Sequence, residues 1–117
     1  MSHRTVITGM GWITPLGHDI ETVWKRLLAG DCDIAPTRLF DAETFPTQFS
    51  AQVRDFELAK FLKDGWQRHR EASRNTQFAL AAADMAWRAA RLEAAKNLDP
   101  ARVGIYLGGG EGPIDFE

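Results

Sequence analysis

The sequence predicts an α/β fold, on the basis of two short apolar strands and two amphipathic helices. Residues 4–8 are rich in β-branched side chains and residues 103–107 form a second apolar run, so each is expected to be a strand. Residues 20–29 and 75–92 place apolar side chains three and four positions apart, as amphipathic helices do. Since the apolar residues of each run are adjacent rather than alternating, we expect the two strands to be buried neighbours in one sheet, with both helices packed against it.

The first strand is predicted to end in a tight corner. Gly9 and Gly11 follow it directly, where the backbone can bend sharply or pass close to another segment. Residues 14–17 then turn the chain into the first helix. Asp19 is the predicted N-cap of that helix, and Gly30 is its predicted left-handed C-terminal cap.

The middle of the chain shows little periodicity. Residues 31–56 contain two prolines and isolated apolar residues, which indicates a long excursion with one short strand at residues 50–53. Residues 57–62 are predicted to form a short helix. The charge-dense segment 66–73, with its Arg-His-Arg cluster, is interpreted as a solvated face. In the helix at 75–92, the many alanines allow close approach to a sheet or to another helix.

Length, charge and cysteine content narrow the class of protein. The chain has 117 residues, 44% of them hydrophobic, and a net charge of −2, which suits one core and gives no sign of a nucleic-acid-binding face. Its longest apolar run is too short to cross a bilayer, and no secretory leader precedes the first strand. The single cysteine, Cys32, excludes an internal disulfide. We therefore expect a cytoplasmic protein that binds neither membrane nor nucleic acid.

Two glycine motifs raise the alternative of a nucleotide-binding α/β module. The first, at Gly9 and Gly11, lacks the third glycine of a dinucleotide fingerprint, because Thr14 stands in its place. The second, the run that begins at Gly108, lacks the Lys and Ser or Thr of a P-loop, and Glu111 puts negative charge where an anion would bind. We interpret the first as a tight corner and the second as a place where backbone packs against a substrate or a partner subunit.

No catalytic or metal-binding set of residues is visible. Two aspartates flank Cys32, and their negative charge opposes thiolate formation, so we interpret this cysteine as structural or incidental. His3, His18 and His69 are scattered, and none lies at a ligand spacing from a cysteine or carboxylate. The sequence therefore predicts no catalytic residue, no metal site and no cofactor within the chain.

Several stretches in order carry a resemblance to one family. They are VITGMGWITPLG at 6–17, VW at 23–24, LLAG at 27–30, FD at 40–41, Ala51, Val53, DF at 55–56, NTQFALAA at 75–82, and RVGI at 102–105 with the glycines from Gly108. Taken together, they resemble the N-terminal segment of a β-ketoacyl-[acyl-carrier-protein] synthase, closest to the elongating type II condensing enzymes. The resemblance covers nearly the whole chain, so residues 1–117 are interpreted as an incomplete N-terminal part of that domain.

The resemblance implies a thiolase-type fold, in which two similar halves each form a mixed sheet covered by helices, in a homodimer. It also implies decarboxylative Claisen condensation of an acyl group with a malonyl unit on acyl carrier protein, in fatty acid or polyketide synthesis. The family's nucleophilic cysteine and two histidines are expected beyond Glu117. Cys32 stands where the family often has serine and does not take the catalytic role.

The resemblance also implies a site. Gly108, Gly110 and Glu111 match a loop that lines the acyl pocket close to the dimer partner, where the family commonly has an apolar residue in place of the glutamate. A glutamate there favours an alternative in which the chain belongs to a non-catalytic, chain-length-factor type subunit of a ketosynthase-like heterodimer. The sequence leaves the acyl chain length and the pathway open.

Overall fold

The computed structural model of the protein describes residues 4–110, which form two compact units. One unit comprises residues 12–57, and the other comprises residues 4–11 together with 58–110. The described residues contain two α-helices, one two-stranded antiparallel sheet and several single turns of 3₁₀ helix. The predicted combination of helix and sheet is therefore confirmed, although the sheet is built from other residues than those predicted.

Neither of the two principal strands predicted from the sequence forms. Residues 4–8 and 103–107 have no regular secondary structure, so the prediction that they pair in one sheet is wrong for the described part of the chain. A β-branched run becomes a strand only where a neighbouring backbone supplies hydrogen-bond partners, and no described segment forms a ladder with either run. Their side chains consequently lie in solvent, with Ile7 83% and Ile105 90% exposed.

The first helix, α1, spans Ile20–Leu28 and has the predicted caps. The Asp19 carboxylate accepts a hydrogen bond from the backbone N–H of Thr22 at 2.8 Å. At the other end Gly30 has a φ of 75°, and the N–H of the following residue donates to the Arg26 carbonyl at 3.0 Å. This pattern satisfies the last carbonyls of the helix as a Schellman motif does, and it confirms the predicted boundaries to within one residue.

The apolar face of α1 is only partly covered within its own unit. Val23 is 2% exposed and lies in the core of residues 12–57, whereas Trp24, Leu27 and Leu28 are each about half exposed or more. The sheet of residues 4–8 and 103–107, on which this helix was predicted to pack, does not form within the described residues.

The sheet that does form is a short hairpin in the excursion. Strand β1 (Ile34–Pro36) pairs antiparallel with strand β2 (Phe49–Ala51), and Pro36 lies opposite Phe49. The sequence predicted one strand, at residues 50–53, which is β2 displaced towards the N-terminus. It did not predict β1, since proline argues against a strand. Proline is nevertheless tolerated at the end of an edge strand, where its missing N–H breaks no ladder.

The second unit is organised around α2, which spans Arg74–Ala89. Before it lie two 3₁₀ turns, Leu58–Lys60 and Trp66–His69, the first of which is the predicted short helix reduced to one turn. Helix α2 ends three residues earlier than predicted, because Arg91 adopts a left-handed conformation with a φ of 55°.

The small side chains of α2 contact the glycine corner. A β-carbon on Gly11 would overlap the carbonyl oxygen of Ala82, and one on Gly9 would overlap the backbone of Ala86 and Ala90. The sequence allowed Gly9 and Gly11 either a sharp bend or a close approach to another segment, and the structure shows the close approach. The alanines of the helix do permit close packing, as predicted, but the partner is this irregular segment.

Candidate functional site: an apolar groove beside the glycine run

An open groove of about 560 Å³ lies between α2 and the segment that leads into the glycine run. Its walls are almost wholly apolar, and all of them belong to the same compact unit. The lining residues are Asn75, Thr76, Phe78, Ala79, Leu80 and Ala83 from the helix, and Ile105, Leu107, Gly108, Gly109 and Gly110 from the segment. A concave apolar surface with a few polar groups is the usual form of a small-molecule site.

The helical wall is positioned by the start of α2. Ser73 is the N-cap, and its hydroxyl accepts a hydrogen bond from the backbone N–H of Thr76 at 3.4 Å. Arg74 is the next residue, and its guanidinium lies 5.0 Å from the centre of the ring of Phe78, which is one turn further along the helix. This cation–π pair was not predicted from the sequence, although the four-residue spacing of Arg74 and Phe78 on a helix is the available signal. A positive charge therefore lies beside the groove.

The other wall contains two of the three predicted substrate-binding residues. Gly108 and Gly110 lie in it, next to Leu107. A β-carbon on either glycine would find no atom within 4 Å, so nothing in the described residues requires glycine at these two positions. That these glycines pack against a substrate or a partner stays a prediction. The third residue, Glu111, lies outside the described residues.

The described part of the groove offers binding but no acid–base chemistry. Among the described residues that line it, Asn75 and Thr76 have the only polar side chains, and neither is a carboxylate, a histidine or a cysteine. Cys32 is exposed and belongs to the other compact unit. This arrangement can hold an apolar group, and it does not assemble a nucleophile with a base.

The two described histidines belong to different compact units. The rings of His18 and Phe56 are nearly perpendicular, with their centres 5.9 Å apart, and His69 ends a 3₁₀ turn. Between residues 4 and 110, no three His, Cys, Asp or Glu side chains come together as metal ligands would. In the same range no helix combines the length and apolar content needed to span a bilayer.

Comparison with known proteins identifies a family. The family model described as "Beta-ketoacyl synthase, N-terminal domain" matches residues 2–116. The 3-oxoacyl-[acyl-carrier-protein] synthase 2 of Coxiella burnetii is 41% identical over 113 residues, covering 97% of this chain and 27% of that protein. The enzyme of the same name from Vibrio harveyi is 36% identical over 115 residues, covering 97% of this chain and 26% of that protein.

A relative from polyketide synthesis is also similar. The granaticin polyketide putative beta-ketoacyl synthase 2 of Streptomyces violaceoruber is 34% identical over 113 residues, covering 97% of this chain and 27% of that protein. The chain thus spans about a quarter of the length of the relatives it matches.

Proposed function

This chain belongs to the β-ketoacyl synthase family through its N-terminal domain, and on that premise we propose that the complete protein is a condensing enzyme. It transfers an acyl group from a carrier-protein thioester to an enzyme thiol, which releases the thiol of that carrier, and the malonyl unit on a second acyl carrier protein then loses carbon dioxide and attacks the enzyme thioester. The products are a 3-oxoacyl carrier thioester and the free enzyme thiol. The match of the family model to residues 2–116, together with a relative that is 41% identical over 113 residues, is the observation that carries the proposal.

The proposal divides the chemistry between this chain and the rest of the protein. The nucleophilic cysteine and the two histidines lie beyond Glu117, where the cysteine accepts the acyl group and backbone amides stabilise the oxyanion. The groove beside the glycine run is consistent with this division, since none of the described residues that line it is an acid, a base or a cysteine.

The contribution of this chain is to binding. We assign Gly108, Gly110 and Glu111 to the wall of the acyl pocket. The apolar character of the groove that contains the two glycines supports this assignment, because a hydrocarbon chain gains free energy by leaving water for such a surface.

The fold and assembly form part of the same proposal. In the complete protein, residues 4–8 and 103–107 acquire strand partners within a thiolase-type mixed sheet. The exposure of Ile7 and Ile105 supports this, because neighbouring strands and helices would cover these apolar side chains and remove them from water. The complete protein is a cytoplasmic homodimer that takes acyl groups from acyl carrier protein.

The test is a condensation assay with the complete protein. Malonyl-carrier protein and an acyl-carrier protein are supplied, and mass spectrometry follows the carrier thioesters. A 3-oxoacyl product two carbons longer than the acyl donor is expected, and Cys32→Ser should leave its rate unchanged. Failure to form this product, with folded protein and competent substrates, would overturn the proposal.

Glu111 supports a second candidate, a non-catalytic partner subunit of a ketosynthase-like heterodimer. A carboxylate in a fatty-acyl pocket is costly unless it is paired or protonated, so its presence favours a pocket with another role. The coding sequence downstream of residue 117 separates the two candidates. A cysteine in a strand–turn–helix setting followed by two histidines indicates the enzyme, and their absence indicates the partner subunit.

A further inference from the structure

Within the described residues, the helical wall of the groove changes from polar to apolar along its length. Asn75 and Thr76 lie in the first turn of α2, and the lining residues that follow them on the helix have apolar side chains. Ala83 is the last of these, about 12 Å from Asn75 along the helix axis at a rise of about 1.5 Å per residue. The wall therefore has a polar end and an apolar end.

This arrangement matches the two ends of an acyl thioester, which has a polar carbonyl group at one end and a hydrocarbon tail at the other. The Asn75 amide and the Thr76 hydroxyl can each donate a hydrogen bond to a carbonyl oxygen. A hydrocarbon tail gains free energy where it leaves water for an apolar wall. The two ends of the wall therefore favour one orientation, in which the tail runs towards Ala83.

The size of the side chain at position 83 decides how much of the groove is open at its apolar end. Ala79 and Ala83 are four residues apart, so they lie on the same face of α2, and both line the groove. Ala79 is half-buried, whereas Ala83 is exposed, so a larger side chain at position 83 has open space to enter. Long side chains on a helix lean towards its N-terminus. A larger residue at position 83 would therefore cover Ala79 and fill the groove from its apolar end.

We propose that the groove receives the hydrocarbon tail of the acyl group and that Ala83 sets the length of tail that fits. The inference rests on the proposed function, because the occupant of the groove is the acyl group of that reaction. Ala83 is a specificity residue in this proposal. Its methyl group forms the wall at the end of the tail and takes no part in the chemistry.

The test is the chain-length preference of the complete protein. Saturated acyl groups of increasing length are supplied on carrier protein, and kcat/KM is measured for each with the parent and with Ala83→Leu. Burying one methylene group is worth about 0.8 kcal/mol, so each methylene group that the leucine excludes should lower kcat/KM about fourfold. The loss should grow with the length of the acyl donor. It should appear mainly in KM, because the tail contributes binding that is equal in the ground state and the transition state.

Two further variants control for effects other than the filling of the groove. Ala89→Leu makes the same change at an exposed residue of α2 that is not among the described lining residues, and it should leave the length profile unchanged. Ala83→Val adds a smaller side chain and should shift the profile in the same direction by a smaller amount. Thermal unfolding of each variant shows whether it is folded. If Ala83→Leu were unfolded, the profile of Ala83→Val would decide.

The outcomes separate this proposal from the proposed function. A loss that grows with donor length in Ala83→Leu and not in Ala89→Leu supports the role of Ala83. With an active parent, an unchanged profile, an equal loss at all lengths or the same shift in Ala89→Leu would overturn that role and leave the proposed function standing.

If the parent protein formed no product with any donor, the proposed function would fail, and direct binding would judge the groove. Acyl-pantetheine thioesters of increasing length are titrated into the complete protein in a calorimeter. Affinity that rises with length in the parent and stops rising at a shorter length in Ala83→Leu supports the proposal. No binding to the parent, or the same length dependence in both proteins, would overturn it.

Discussion

The α-carbon of Gly11 lies so close to the carbonyl oxygen of Ala82 that no side chain fits between them. A β-carbon at Gly11 would also meet Met85 and the backbone nitrogen of Ala86. Since two of these three atoms belong to the backbone of α2, a side-chain rotation cannot relieve the overlap. The contact therefore fixes how closely the start of the chain approaches this helix.

The first prediction is that Gly11→Ala destabilises the protein. Overpacking of this kind costs about 1–3 kcal/mol, because either the segment or the helix must shift. Thermal unfolding of the complete protein should show a lower Tm for this variant. Gly104→Ala is the matched control, since no described atom lies within 4 Å of a β-carbon there. Equal Tm values for the two variants would contradict the close approach.

The second prediction concerns the N-cap of α1. The backbone N–H of Thr22, with a smaller contribution from its hydroxyl, holds the pKa of Asp19 below its ordinary value. Because the folded pKa is the lower one, the cap stabilises the fold above the unfolded pKa of about 3.9, and this contribution is lost as the pH falls through the folded pKa.

Asp19→Ala should therefore cost about 1 kcal/mol at neutral pH and less in acid. Asp19→Asn keeps a hydrogen-bond acceptor and removes the titration, so it should leave neutral stability nearly unchanged and flatten its acid dependence. Urea unfolding between pH 2.5 and 7 measures both effects. A parallel pH dependence for the parent and Asp19→Asn would show that the cap does not titrate as argued.

The third prediction concerns Arg26, which joins the two ends of α1 to the segments around it. Its guanidinium donates to the Leu16 carbonyl at 2.7 Å and to the Asp31 carboxylate at 3.0 Å, and lies 3.8 Å from Asp33. Arg26→Ala should cost about 1–3 kcal/mol, because the charged bonds are lost together. Lys25→Ala, its exposed neighbour, should change stability by less than about 0.5 kcal/mol. Similar unfolding midpoints for the two variants would contradict this role.

The fourth prediction is that the isolated 117-residue chain is catalytically silent and prone to aggregation. Ile105 and Tyr106 are almost fully exposed in a β-prone run, which is a template for pairing with other chains. Static light scattering of the purified chain should show concentration-dependent association, and Tyr106→Lys should reduce it. Clear decarboxylation of malonyl-carrier protein by this chain alone would refute the prediction that it is catalytically silent. A stable monomer would refute the prediction that it aggregates.

The fifth prediction concerns Glu111, for which the resemblance predicts a place in the acyl pocket. Glu111→Ile in the complete protein should shift activity towards longer acyl chains, since an apolar wall accepts hydrocarbon without burying a carboxylate. A series of acyl-carrier substrates of increasing length measures the preference. Glu111→Gln controls for loss of charge without gain of apolar surface. An unchanged chain-length profile in Glu111→Ile would remove this residue from the pocket.

Local signals in the sequence were sufficient to predict those features of the structure that depend only on residues close together in the chain. The start of α1 at Asp19 and its end at Gly30 follow from side-chain capping and from a left-handed glycine, and the structure has both. The alanines of α2 were correctly expected to permit close packing, and the close approach of backbone at Gly9 and Gly11 was one of the two roles that the sequence allowed these glycines. The family was also recognisable, because its residues recur in order along the whole chain and comparison with known proteins confirms it.

Tertiary structure decided the features that depend on a partner distant in the sequence. Residues 4–8 have strand composition and form no strand, since a ladder requires a second backbone and none is supplied by the described residues. Residues 34–36 contain a proline and do form one, because β2 pairs with them. The groove beside Gly108 and the hydrogen bonds from the Gln77 side-chain amide to the carbonyls of Arg70 and Ala72 are of the same kind. Each joins segments whose proximity follows from the packing around α2, which no local pattern of residues specifies.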